Sequence, residues 1–165
     1  MTSGLNPRAD FGLSNLANRH AFTAGGNWDV GHGVGIGSTF VYYTGNPMNE
    51  LLGDDVNNDL DDFDRPIKGR DDKTIPILSE VDANGYAIHN SMPGYSDYLA
   101  LNLRVQYELR LGAAARKLGV YWELYNVTNR NNFGNPENKR NAPAFNTLII
   151  GGAPRTMQLG LRYSF

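Results

Sequence analysis

The chain has 165 residues, 41% of them hydrophobic, with a mean hydropathy of −0.44, a net charge of −2 and no cysteine. The length suits one ordinary domain, and the charge balance gives no reason to expect nucleic-acid binding. Absent thiols exclude disulfides and thiolate metal sites, and no apolar run approaches the ~18 residues of a membrane-spanning helix.

The 19 Gly and 9 Tyr favour turns and strands over helices. Alternation of apolar residues with period two predicts five strands. The first runs from about His20 to Trp28, with Phe22, Ala24, Gly26 and Trp28 on one face. A tight turn at Asp29-Val30-Gly31-His32 leads to the second, about Gly33 to Tyr43, where Val34, Ile36, Phe40 and Tyr42 share a face. Residues 44–96 then form a long connection rich in Asp, Asn, Gly and Pro. The third strand, about Asp97 to Leu111, alternates Leu99, Leu101, Leu103, Val105, Tyr107, Leu109 and Leu111 with polar residues. Seven apolar residues on one face exceed most globular strands, whose mode is about 5–6 residues in all. A short link, Gly112 to Lys117, joins it to the fourth strand, about Leu118 to Thr128. Residues 129–155 form a second long connection before the fifth strand, Thr156 to Phe165.

Short and long connections therefore alternate, an order that a soluble meander does not explain. Outer-membrane barrels need strands of about 9–11 residues, lipid on one face and a polar lumen on the other, with short turns inside and long loops outside. Every link falls on the side that its length predicts, and low mean hydropathy is what alternating strands produce. The fold expectation is all-β: an antiparallel meander of about five strands with two long extracellular loops, residues 20–165, preceded by a loop segment, residues 1–19. Five strands cannot close a barrel, whose smallest bacterial form has about eight. With no signal peptide over Met1 to Asn18, the chain is expected to be the carboxy-terminal piece of something longer. Taken by itself it should form a curved open sheet with loose loops.

Two stretches carry a family resemblance. Gln158-Leu159-Gly160-Leu161-Arg162-Tyr163-Ser164-Phe165 resembles the carboxy-terminal signal read by the β-barrel assembly machinery, with Gln158, Gly160, Tyr163 and Phe165 at its marked places. Glu123-Leu124-Tyr125-Asn126-Val127-Thr128-Asn129-Arg130-Asn131-Asn132-Phe133-Gly134-Asn135-Pro136 resembles the corresponding part of TonB-dependent outer-membrane receptors of the Oar-like type. Phe145-Asn146-Thr147, Gly152-Ala153-Pro154-Arg155, Asp64-Arg65-Pro66 and Gly69-Arg70 are similar to that family too. The resemblance implies a barrel of about 22 strands filled by an amino-terminal plug. It further implies outer-membrane lipid, the assembly machinery and, through the missing plug and strands, the TonB energy-coupling complex as partners. Energy-coupled uptake of an unidentified substrate would be the function. A porin-like barrel and a soluble β-sandwich binding module are the alternatives.

Among candidate sites, Asp55, Asn57, Asp59 and Asp61 mimic the start of a calcium loop, where hard oxygens converge on the ion. Leu60 stands where an EF-hand loop has Gly, and Pro66 where it has Glu, so a solvated loop is the preferred reading. Gly31, Gly33, Gly35 and Gly37 have the spacing of a glycine string, but a strand follows instead of the helix that phosphate binding needs. They are expected to line the lumen face and leave room for a plug. Arg104, Glu108, Arg110, Glu123 and Arg162 fall on that face, where neighbouring strands could pair them. Tyr42, Tyr43, Tyr98, Trp122, Tyr125 and Tyr163 are expected near strand ends, as an aromatic girdle. His20, His32 and His89 lack ligand spacing, and the Asn126-Val127-Thr128 sequon reads as strand-end structure. No catalytic constellation is visible, so neither an enzyme nor a cofactor is expected.

Overall fold

The computed structural model describes residues 11–16, 18–92, 97–112, 116–148 and 151–165. Residues 1–10 of the amino-terminal segment and 113–115 of the third link lie outside that description. The described residues contain five strands and no helix: β1 (Ala21–Gly31), β2 (Val34–Tyr43), β3 (Tyr98–Arg110), β4 (Lys117–Tyr125) and β5 (Thr156–Ser164). All pair antiparallel in sequence order, giving one five-stranded meander.

Directly opposed residues share a face, so the register assigns every side chain. One row across the sheet reads Trp28, Ile36, Val105, Trp122, Leu159; another reads Ala24, Phe40, Leu101. The opposite face carries Thr39 against Asn102, Arg104 against Glu123 and Gln106 against Tyr121. The alternation in the sequence thus becomes one apolar and one polar surface across all five strands.

The ends of the strands are staggered. Tyr43 opposes Tyr98, but β4 meets β3 only from Leu103 onward, opposite Leu124. At the other end β2 starts at Val34 opposite Tyr107, whereas β3 and β4 continue to Arg110 opposite Lys117, and β5 ends level with them at Ser164. Both ends step in the same sense, by about three to four residues between the first hairpin and the last.

Two boundaries differ from the sequence expectation. The first turn is displaced: β1 runs on to Gly31, paired with Val34, and the chain reverses at His32 and Gly33. The register shift between Asp29 and Gly31 absorbs Val30 as a bulge, and the Asp29 carboxylate accepts the Gly31 amide at 2.9 Å. Gly31, His32 and Gly33 all have positive φ (89°, 55°, 83°), which only glycine adopts without cost. β4 stops at Tyr125, three residues before Thr128, because Asn126 turns into the left-handed region at φ 51°.

The chain divides into two compact units. The sheet unit comprises residues 20–43, 97–132 and 151–165, and the loop unit residues 1–19, 44–96 and 133–150. The long connections were expected to be loose, and they are not. Residues 44–92 and 133–148 interlock through isolated bridges such as Leu51 to Lys139, Ile67 to Tyr86 and Glu137 to Phe145. Met48, Leu51, Pro66, Ala87 and Met92 are buried among them.

Candidate functional site

The apolar face of the sheet is uncovered. Leu159 and Leu161 are 77% and 76% exposed, Met157 72%, and Trp28 57%. Ile36, Tyr107, Val120 and Trp122 are also exposed, although they lie inside the sheet. A monomer in water rarely leaves such a continuous surface open. Its aromatic rim differs from expectation: the register sends Tyr43, Tyr98 and Tyr125 to the polar face and places Trp122 inside β4. Tyr42, opposite Phe22, and Tyr163, whose ring lies 6.0 Å from that of Phe165, remain near strand ends on the apolar side. The physical reason is parity: adjacent tyrosines such as Tyr42 and Tyr43 must point to opposite faces.

The polar face is built from cross-strand contacts. Arg104 pairs with Glu123 at 3.2 Å and lies 4.6 Å from the centre of the Tyr121 ring. Glu123 also accepts hydrogen bonds from the Tyr125 hydroxyl at 3.2 Å and from Gln158. Lys117 bonds Glu108 at 3.1 Å. At the far end Tyr43 stacks on Tyr98, 4.6 Å between ring centres.

The glycine string is split by this geometry. Gly31 and Gly33 serve the turn, and only Gly35 and Gly37 belong to the polar face. A methyl group on Gly35 would stand 2.9 Å from the Gln106 side-chain amide, and one on Gly37 2.7 Å from Asn27 Oδ1. Neighbouring side chains already occupy the space expected for a plug at these two positions.

The asparagine-rich stretch ends β4 and substitutes for the ladder that stops there. The Asn126 amide donates to Asn102 Oδ1 at 3.0 Å, while its side chain joins Arg130 O at 2.9 Å and Ala153 O at 3.2 Å. Asn132 pairs with Leu99 as a strand residue would: Oδ1 accepts the Leu99 amide at 2.9 Å and Nδ2 donates to its carbonyl at 3.0 Å. Asn129 Oδ1 accepts the Arg155 amide at 3.1 Å, just ahead of β5.

The loop unit is organised around a buried ion pair that the sequence did not suggest. Glu50 is fully buried and bonded to Arg140, itself 9% exposed. Glu50 Oε2 accepts the Leu78 and Ser79 amides, both at 2.8 Å. Arg140 donates to the carbonyls of Asp71 (2.9 Å), Pro76 (3.1 Å) and Ile75. Each charge is thus surrounded by partners, the condition for burying it. An acidic residue between Asn49 and the apolar Leu51-Leu52 pair was the only sequence hint.

The calcium candidates are bonded into the backbone of their own loop. Asp55 accepts the Asp59 and Leu60 amides at 3.1 and 2.9 Å, Asn57 the Asp59 amide at 2.9 Å, Asp59 the Asp61 amide at 3.1 Å, and Asp61 the Phe63 amide at 3.0 Å. Leu60 is held at φ 72°, fully outward. Asp64 closes the loop, accepting the Val56 and Asn57 amides at 2.8 and 3.2 Å. Among the described residues no three His, Cys, Asp or Glu side chains converge as metal ligands. A hydrogen bond from Lys139 holds the Asp62 carboxyl below its ordinary pKa, and Asp62 in turn raises Lys139. Burial pushes the Asp71 carboxyl up, but the Arg70 side chain and the Ile67 amide outweigh it and leave its pKa lowered.

Gln158, Gly160, Tyr163 and Phe165 occupy β5 and its end. Gln158 and Gly160 face the polar side opposite Glu123 and Tyr121, and Tyr163 faces the apolar side opposite Leu118. Phe165 follows the strand and is 96% exposed. No family model, curated protein or solved structure matches the chain.

Proposed function

We propose that this chain is wall material of an outer-membrane β-barrel, the carboxy-terminal part of a TonB-dependent receptor of the Oar-like type. The observation that carries the reading is the uncovered apolar face running across all five strands, backed by a continuous polar face. Such a pair of surfaces suits lipid on one side and a wet lumen on the other. The stagger of the strand ends supports it independently. About one residue of step per strand, with ~3.3 Å rise and ~4.8 Å strand spacing, corresponds to a tilt of roughly 35–45°, the range of membrane barrels.

In this reading the wall makes and breaks no bond. It bounds the path of an imported solute. Further strands, a plug and the coupling complex would come from the rest of the receptor, and β5 would meet the first strand to close the cylinder. Gln158, Gly160, Tyr163 and Phe165 would then serve as the signal that the assembly machinery reads.

Fractionation of cells producing the protein that carries this chain tests the reading. Recovery in the outer membrane, released only by detergent, is the expected result. A soluble, monodisperse product would overturn it and favour a β-sandwich, in which a second sheet covers the apolar face.

A further inference from the structure

The polar face has an unbalanced end. Near the short turns, Arg110 stands directly opposite Lys117, and Lys117 opposite Ser164. One step up the strands, Glu108 opposes Gly119, and Gly119 opposes Arg162. Three cations and one carboxylate thus occupy a contiguous patch of β3, β4 and β5. Lys117 takes the single carboxylate, Glu108, at 3.1 Å. Higher up, Arg104 is matched by Glu123. Among the described residues no carboxylate is bonded to Arg110 or Arg162.

Like charges placed directly opposite in a sheet repel, and nothing in the hydrophobic pattern demands that Arg110 and Lys117 be paired. Lys117, Arg162 and Glu108 of this patch border a recess of about 500 Å³ on this face, together with Arg104, Gln106, Tyr121 and Ser164, and Arg110 stands next to it, opposite Lys117. That volume lies in the range of small-ligand sites. Arginine's planar fork is the side chain best matched to an oxyanion, which two such forks and an ammonium can share.

We propose that this recess, together with the adjoining Arg110, binds an oxyanion, the carboxylate or phosphate group of a ligand in the lumen. The inference rests on the barrel reading for the word lumen, but its chemistry rests on the patch itself. The bound group would neutralise Arg110 and Arg162 without disturbing the Lys117–Glu108 and Arg104–Glu123 pairs. Two sources could supply it: a free solute, or an acidic stretch of polypeptide packed inside the wall.

The test is titration calorimetry on the detergent-solubilised protein that carries this chain, at low salt, with three ligands: citrate, inorganic phosphate and a hexaglutamate peptide. At least one should bind, with affinity falling as salt rises. The Arg110→Gln/Arg162→Gln double variant should weaken it tenfold or more, and Arg110→Lys/Arg162→Lys should stay within about threefold of the parent, since charge is kept. Binding of citrate or phosphate identifies a solute site, and binding of hexaglutamate alone a polypeptide site. No heat from any of the three, or equal affinity in the glutamine variant, overturns the proposal. Because both variants alter exposed side chains on the polar face, detergent-only extraction should persist in each. Loss of anion binding alone therefore leaves the wall assignment standing, whereas a soluble product removes that assignment whatever the titration shows.

Discussion

Replacing Leu159 by Arg separates a wall in lipid from a surface in water. Leu159 lies on the apolar face of β5, opposite Trp122, and is 77% exposed. In water, a charged residue at so open a position changes stability by only about ±0.5 kcal/mol. In lipid the same change costs about 2–4 kcal/mol near the midplane and little near the interfaces, so depth decides the magnitude. β5 has nine residues; at ~3.3 Å per residue and a tilt near 40° it covers roughly 23 Å of an apolar band about 25 Å tall. Leu159 adjoins the central Gly160, so nearly the full cost applies, about 3 kcal/mol or more than a hundredfold in the folding equilibrium. Gln106→Arg is the matched control. Gln106 is also near the middle of its strand but faces the polar side, with its stem against Gly35. An arginine keeps that stem and places its charge among polar groups, for a cost of about 0–0.5 kcal/mol. Reversible guanidinium unfolding in phospholipid vesicles, followed by tryptophan fluorescence, measures both. Equal costs, or a Leu159→Arg effect within 0.5 kcal/mol, would refute the assigned faces.

Four further outcomes are expected. Arg140→Met leaves Glu50 buried with no cation and should cost the loop unit about 3–5 kcal/mol, read as faster hydrogen exchange at the Leu78 and Ser79 amides while the sheet stays protected. The Asp62–Lys139 tie should hold across neutral pH and fail at both extremes. Asp62 has a lowered pKa, so its contribution is complete above the ordinary carboxylate value, about 4, and is lost as pH falls through the lowered one. Lys139 has a raised pKa, so its share is complete below about 10.4 and is lost only as pH rises through the raised value. Hydrogen exchange of the loop unit against pH checks this, and Asp62→Asn should flatten the acid limb that Asp62 contributes. Gly33→Ala should destabilise the first hairpin by about 2 kcal/mol or more, since a left-handed alanine is strained and its methyl would meet the Glu108 carbonyl at 2.3 Å. Gly31→Ala, with nothing within 4 Å, should cost only the backbone strain of about 1–2 kcal/mol; melting curves of the two variants should separate. On the barrel reading proposed above, deleting Phe165 should lower the amount of heat-modifiable, folded protein in the outer membrane far more than it lowers transport per folded molecule.

Much of the sheet was legible because period two is a local signal. Leu99 to Leu109 names its face without knowledge of any neighbour, and register then carries that face across β1 to β5. What sequence missed was decided non-locally or by backbone conformation. The first turn moved to His32–Gly33 because a bulge at Val30 let pairing run on, and nothing in Asp29-Val30-Gly31-His32 distinguishes a bulge from a turn. The aromatic rim is smaller than nearness to strand ends suggests, because parity turns Tyr43, Tyr98 and Tyr125 to the polar face. Glu50 and Arg140 are 90 residues apart, and their pairing has no periodic trace.

The loop unit raises the harder physical question: how residues 44–92, with no helix or strand, avoid the disorder that such length and composition invite. Among the described residues its apolar core is small, limited to Met48, Leu51, Pro66, Ala87 and Met92. At ~25 cal/mol per Å² so few side chains cannot offset the ordering of that much backbone. Buried polar groups supply the remaining constraint: Glu50, Asp64, Arg65, Asn90 and Arg140 are each at most 9% exposed. Asp64 caps Val56 and Asn57, Arg65 donates to the Ala87 carbonyl at 3.1 Å, and Asn90 to that of Leu13 at 2.6 Å. Each replaces a ladder bond that irregular backbone lacks, and an unpaired buried partner would cost about 1–3 kcal/mol. The consequence is steep dependence on single residues: a polar core has few members, and Glu50, Asp64 and Arg140 each hold two or more carbonyls or amides at once. Asp64-Arg65-Pro66, singled out by resemblance alone, therefore has a structural reason to be there that holds whatever the function of the chain.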